Sequence, residues 1–413
     1  MKLLKLVMLA AVILSANLCL GEKLSWIGWH GQNHDNISAE KNLLKDWPKE
    51  GPKLLWKFDA CGRGFSSVNI AGGMIFTAGD IKGKTVITAL DLGGKLLWTA
   101  QNGEGSMGKM LILKYPGSKS TPVYSERMLY QLNGSGDLIA LEAKTGKKVW
   151  GLNLVKDFKG KAGNWGYAET VTIDGGNLLC MPGGSDALII ALDKKTGKKV
   201  WASEGIKDDA SYCSGALITH KEKRQYLTMS AKNALGLDPA TGKILWNFEH
   251  ITKYDINPIT PVYKDGFIYI TSGYGSADAM IKLSDDGASA SQVWSSKKLD
   301  CQLGGVVLVD GYVYGSGDTV KGWHCLDWKT GNEMWVNKGV GAGAVLYADG
   351  MLYCLGENGQ VALVEASPSS YKEHGTFSLP DGGDKSWNHP VILDGRLYLR
   401  RENNLYAYDI KGK

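Results

Sequence analysis

An eleven-residue phrase, ALDKKTGKKVW at residues 191–201, returns along this chain and limits what it can fold into. ALEAKTGKKVW stands at 140–150, GLDPATGKILW at 236–246 and CLDWKTGNEMW at 325–335, all in one frame. Looser copies lie at 89–98, 280–294 and 363–377, and AYDIKGK closes the chain at 407–413. Their acidic or equivalent positions are Asp91, Glu142, Asp193, Asp238, Ser284, Asp327, Glu365 and Asp409, spaced 38 to 51 residues apart. Eight units of this length, each with two hairpin signals, predict an all-β propeller of eight four-stranded antiparallel blades.

The chemistry of one unit explains its letters. Each begins with alternating apolar residues around a tight turn, as in PVYKDGFIYI (261–270), VVLVDGYVYG (306–315) and PVILDGRLYL (390–399). Asp-Gly suits a type I′ turn, which needs positive φ at both central positions. Further on, the Ala-x-Asp strand runs into Thr-Gly. There the carboxylate can accept backbone N–H groups of the loop, and the glycine can take the left-handed conformation of a bulged turn. The closing Trp is large enough to reach the next blade. We therefore expect Trp150, Trp201, Trp246 and Trp335 to be inter-blade staples, each largely buried.

Closure is legible from the two ends. The last copy stops at Lys413 without an outer strand, while an orphan outer strand, Leu54-Leu55-Trp56, precedes the first complete unit. Joined, they spell DIKGK-LLW, close to DLGGKLLW at 91–98. N- and C-terminal strands are thus expected to share the last blade, which removes the exposed sheet edges of an open array.

Residues 1–21 have Lys2 and Lys5, an apolar stretch at 6–14, and Cys19 and Gly21 placed for cleavage after Gly21, the pattern of a secretory signal peptide. Lipid attachment at Cys19 is opposed by the bulky Leu18 before it. The expected organisation is a signal peptide (1–21), an N-terminal extension (22–52) and one propeller (53–413), in a periplasmic or secreted protein with no transmembrane segment in the mature chain. Cleavage leaves 45 basic and 42 acidic residues, because the leader carries two lysines and no acid. That balance, without a nucleic-acid motif among the turn lysines, argues against a nucleic-acid partner. Six cysteines remain, none adjacent to another, and several sit in apolar strands, so buried free thiols are expected in place of a disulfide framework. His30 and His34 are four apart in a polar, glycine-containing stretch that is poor helix material, and no metal site is expected there.

The AxDxxTGKxxW phrase resembles the tryptophan-docking motif of the quinoprotein propellers, the superfamily of pyrroloquinoline quinone (PQQ) dehydrogenases. The same repeat occurs in non-catalytic relatives such as the outer-membrane assembly factor BamB. The layout is most similar to bacterial exported PQQ-binding-like repeat proteins, through GPKLLWKFDACGRGFSSV (51–68), WGYAETVTIDG (165–175), YADGMLYCLGENG (347–359) and WNHPVILDGRLYLR (387–400). That layout usually has a histidine before the glycines at 304 and 305, where this chain has Cys301-Gln302-Leu303. The resemblance implies an eight-bladed quinoprotein-like β-propeller.

In a propeller the segments leading into the innermost strands form one rim of the channel, the usual seat of function. Here they are rich in Gly, Ser, Asn and aromatics, and they supply the candidate rim residues Arg63, Ser66, Trp165, Tyr167, Glu169, Tyr212, Asn257, Trp387, Asn388 and His389. Two non-catalytic readings use them: an envelope scaffold that presents its surface to a partner protein, or a small-molecule or carbohydrate binder that stacks its ligand on Trp165, Tyr167, Tyr212 and Trp387. A third is an enzyme. Resemblance to the dehydrogenases implies PQQ with a calcium ion, for which Glu169 and Asn257 are the candidate ligands and Asp300 the candidate general base; Arg63, by its charge alone, is the candidate contact to the cofactor's carboxylates. The chain lacks the adjacent cysteine pair, the haem motif and the long roofing insertions of those enzymes. Its sequence therefore favours binding without catalysis, with no cofactor.

Overall fold

The computed structural model describes residues 25–105, 115–302, 305–380, 383 and 385–412. The expected signal peptide, with Cys19, lies outside them. Seven four-stranded sheets follow in chain order, at 69–104, 123–153, 172–202, 216–249, 262–296, 307–337 and 343–378. The eighth joins the N-terminal strand Lys53–Phe58 to three C-terminal strands, with Lys53 opposite Asp409 and Phe58 opposite Leu405. The only helix among the described residues is one short turn, Leu154–Phe158. No helix among them is long and apolar enough to cross a membrane.

Within a blade, the second and third strands are flanked by neighbouring blades on both faces, so they bury most of their residues, as Met351–Gly356 does. Outer strands such as Lys53–Phe58 are mostly exposed. The Asp-Gly turns take the expected geometry, with Asp265 at φ 51° and Gly266 at φ 85°. In the second turn Asp193 Oδ1 accepts the N–H groups of Lys195 and Thr196, and Gly197 is left-handed at φ 72°. A register shift follows in each full copy of the phrase.

The glycines of these second turns have another task. Each lies under the closing aromatic of the preceding blade: Gly94 under Trp56, Gly146 under Trp98, Gly197 under Trp150, Gly242 under Trp201 and Gly331 under Trp294, so close that any Cβ would overlap the indole. The indole N–H then donates to a carbonyl of the same turn, from Trp98 to Ala143 at 3.0 Å, Trp150 to Lys194 at 3.0 Å and Trp201 to Pro239 at 3.1 Å. Three steps depart from the rule: the seventh-blade turn that receives Trp335, through Ser367 O at 2.8 Å, has no glycine, and two others differ as follows. Trp246 turns back over Gly236, where the other full copies have Ala or Cys, and donates to Gln225 Oε1, whose amide passes the bond on to Gly287 O. At the closing step Phe377 covers Gly51, so Gly51 receives the staple; Gly412, the glycine of the spliced phrase, packs against Asn42.

The four expected staples differ in how completely they are covered. Trp201 and Trp246 are 9% and 5% exposed, and Trp150 and Trp335 are partly buried, although all four lie on outer strands. The described cysteines 61, 180, 213, 301, 325 and 354 are all buried thiols outside any disulfide.

Residues 25–52 are packed inside and across the ring. Trp26 pairs antiparallel with Ile70 on the inner strand of the first blade. The chain turns at 28–36, and Ile37–Ser38 then runs parallel to the inner strand of the seventh blade as a fifth strand in the channel. Leaving on the opposite face, Glu40 accepts the N–H groups of Asp394 and Gly395, and Lys45 pairs with Asp349 at 2.8 Å. A hairpin-like plug thus fills the channel beneath the rim.

Replacing Trp201 by Ala should cost roughly 3–5 kcal/mol, as expected for a buried Trp that leaves a cavity. Trp150→Ala should cost less. Gly51→Val, which sets a branched side chain against Phe377 at a left-handed backbone position, should lower the urea midpoint by a comparable margin; an unchanged midpoint for Trp201→Ala or Gly51→Val would refute the staple geometry.

Candidate functional site

Seven of the eight segments that lead into inner strands contribute side chains to one cavity of about 470 Å³ on the rim face. The glycine-rich segment 339–343 supplies none, having no side chain long enough. The walls are aromatic: Phe65, Tyr115, Trp165, Tyr212, Tyr274 and Trp387, with Trp29 of the plug below them. Trp387 is held between Phe65 and Tyr115, with ring centroids 4.7 Å away on each side. Trp165 meets Tyr212 edge-on across the third and fourth blades. Beneath them Trp29 stacks on His30, and His30 Nε2 lies 3.0 Å from His389 Nδ1. Burial and the neighbouring imidazoles of His389 and His34 hold the His30 pKa well below the usual range, so the ring is neutral.

The polar lining is largely cationic. Lys119, Lys321 and Lys385 face the cavity, together with Glu357, Gln302 and Ser214. Lys321 is paired with Asp318, and Lys385 with Glu357 at 2.8 Å. Glu357 also accepts from the Trp387 indole at 3.3 Å, which fixes the ring's orientation. Among the described residues Lys119 donates to the Tyr115 carbonyl, at 3.4 Å. Burial lowers its pKa to about 8.

Of the residues singled out from sequence, Trp165, Tyr212, Trp387 and His389 line the cavity. The others lie in its walls or beside it. Tyr167 donates its hydroxyl to Pro182 O, and the Ser66 carbonyl receives Asn388 and the fully buried Arg400. Arg63 is half exposed and pairs with Glu402 at 3.7 Å. Glu169 is 2% exposed and accepts the Met181 N–H at 2.6 Å; desolvation raises its pKa to about 8. Asn257 donates to the carbonyls of Ser230, Ala231 and His250 and accepts from Ser272. The Asp300 carboxylate receives Gly275, Asp318 and Thr319 and so clamps two loops together.

Glu169, Asn257 and Asp300 are therefore not a calcium-binding set in this conformation: none opens onto the cavity, and the amide and the Asp300 carboxylate are already committed to backbone and hydroxyl donors. No group of three or more His, Cys, Asp or Glu suited to a metal ion occurs among the described residues. Sequence reasoning missed Trp29, Tyr115, Lys119, Tyr274, Lys321, Glu357 and Lys385. The last four lie in second-to-third-strand loops or next to an eighth-blade lead-in, and Trp29 comes from the extension. Their only signal was the recurrence of aromatics and lysines in loops that share the rim face.

The repeats, the closed ring and the rim cavity define a PQQ-like β-propeller. Within that class the chain belongs to the family described as outer membrane protein assembly factor BamB, which it matches over residues 82–337. It is 34% identical over 97 residues to the dehydrogenase subunit of the quinone alcohol dehydrogenase of Acetobacter aceti, a match covering 23% of this chain and 13% of that protein. It is 25% identical over 253 residues to tetrathionate hydrolase of Acidithiobacillus ferrooxidans, covering 56% of this chain and 48% of the relative. The chain spans less than half the length of either. BamB of Moraxella catarrhalis superposes with a TM-score of 0.60 at 15% identity, over 84% of this chain and 95% of that one. Quinohemoprotein alcohol dehydrogenase of Comamonas testosteroni gives 0.66 at 13% identity, over 95% and 81%. At such identities the likeness is one of fold.

Two buried acids give the fold a pH signature. Desolvation raises Glu169 to about 8 from an ordinary 4.5, and Asp278 to about 7 from 3.8. Each is stabilising while neutral, fully so below its unfolded pKa, and that contribution is lost as pH rises through the folded value. The melting temperature should fall between pH 5 and pH 8, and Glu169→Gln, which keeps an acceptor for Met181, should flatten the decline. An unchanged slope in that variant would contradict the assignment.

Proposed function

We propose that this protein is a non-catalytic propeller of the cell envelope, periplasmic or secreted, that binds a small-molecule, carbohydrate or partner-protein segment in its rim cavity. One observation carries this reading. The acids and amide best suited to chemistry are buried in the walls, while the cavity presents aromatic faces and ammonium groups. Such a surface can hold a ligand by stacking and charge without moving a proton. Membership of the BamB-described family supports a partner-binding role.

The second reading is a PQQ- and calcium-dependent alcohol or sugar dehydrogenase, favoured by the likeness to the Acetobacter aceti subunit. Purified protein mixed with PQQ and calcium separates the two by absorbance, intact mass and dye reduction over a panel of alcohols and aldoses. We expect no turnover. Turnover abolished in both Glu169→Gln and Asp300→Asn would install the dehydrogenase; activity indifferent to both substitutions would indicate contamination.

A further inference from the structure

The three cavity lysines differ in what surrounds them. Lys321 and Lys385 each have a carboxylate partner, and among the described residues no carboxylate stands at ion-pair distance from Lys119. Asp80 is the acid whose field reaches it. An ammonium at the edge of an apolar cavity, held by one long bond to a carbonyl, is incompletely solvated and gains most from an anion brought by a ligand. Its neighbour in sequence, Tyr115, packs against Trp387. The cationic point and the broadest aromatic surface therefore adjoin.

The shape of that surface selects the kind of ring. The aromatic pairs of the walls are tilted or edge-on, with interplanar angles of 35°, 48° and 71°. Each pair therefore presents single faces at an angle to one another. A pyranose needs only one aromatic face for its C–H groups. Its hydroxyls need mixed donors and acceptors around the edge, which Gln302, Ser214 and Glu357 supply.

We propose that the cavity takes an acidic saccharide, a pyranose bearing a carboxylate, with its ring on the Trp387 and Tyr115 side and its carboxylate on the Lys119 ammonium. This rests on the binding reading above and names its ligand class. A charge-assisted hydrogen bond in a partly desolvated site is worth about tenfold or more in affinity. The same contact should weaken with added salt, as a neutral sugar's stacking should not.

The test uses calorimetry and tryptophan fluorescence with trigalacturonate, its neutral methyl ester and an aromatic carboxylate of similar size. Wild-type protein should bind the acid about tenfold or more tighter than the ester. Lys119→Met should erase that preference while leaving the ester's affinity in place, and Lys119→Arg should retain it. Equal binding of acid and ester by wild type, or a preference that survives in Lys119→Met, overturns the assignment of Lys119 but leaves a saccharide-binding cavity standing. Failure of both saccharides to bind overturns the saccharide class. In that case binding of the aromatic carboxylate, lost in Trp387→Ala, would preserve the wider binding reading, and no binding of any probe would count against that reading too.

Discussion

An aromatic ring resting on a bare glycine, repeated from blade to blade, is the contact on which the rest of this molecule depends. A four-stranded sheet has two apolar faces and cannot bury both alone. Seating the closing aromatic of one blade on the turn of the next fixes both the distance between sheets and their angle. Glycine is required twice over, for its left-handed backbone and for the space a Cβ would occupy. From Trp56, Trp98, Trp150, Trp201 and Trp335 the indole N–H adds direction, since its acceptor is a carbonyl of that same turn. Where one blade lacks the standard arrangement, Gln225 relays the bond between Trp246 and Gly287.

Because the ring is closed, all inner-strand lead-ins are gathered on one face. That is why residues as far apart in sequence as Phe65 and Trp387 come into contact. The plug completes the arrangement from below. It pairs with inner strands of the first and seventh blades and donates from Ser38 to the eighth, so the channel is filled and the rim becomes a blind cavity with Trp29 in its floor. One buried polar group beside it bonds several backbone carbonyls: Arg400 ties the lead-in of the first blade to the eighth through the carbonyls of Gly62, Ser66 and Ala78. A buried guanidinium with several carbonyl acceptors holds loops in place without needing a carboxylate. The first-blade lead-in that carries Phe65 is anchored to the eighth blade in this way.

How far the sequence could be read follows from the range of each interaction. Strand order, the Asp-Gly and Thr-Gly turns and the blade count rest on local periodicity and φ preferences, and all were legible. So was the face on which the site lies, because a repeat assigns every lead-in to the same rim. The distinction between Glu169 and Trp165 was not. They are four residues apart in one lead-in, yet one turns into the wall to meet Met181 and the other faces the cavity, and alternation along a loop does not say which.

The repeat phrase by itself therefore determined the propeller, its eight units and the pairing of its ends, because each copy encodes its own turns and its own contact to the next. Only the tertiary structure decided that the extension fills the channel, that Gly51 receives the last staple, that Trp150 and Trp335 are less fully covered than Trp201 and Trp246, and that Lys119 faces the cavity with no carboxylate partner among the described residues. These depend on which segments of remote sequence meet at one place. No periodicity within a single blade carries that information.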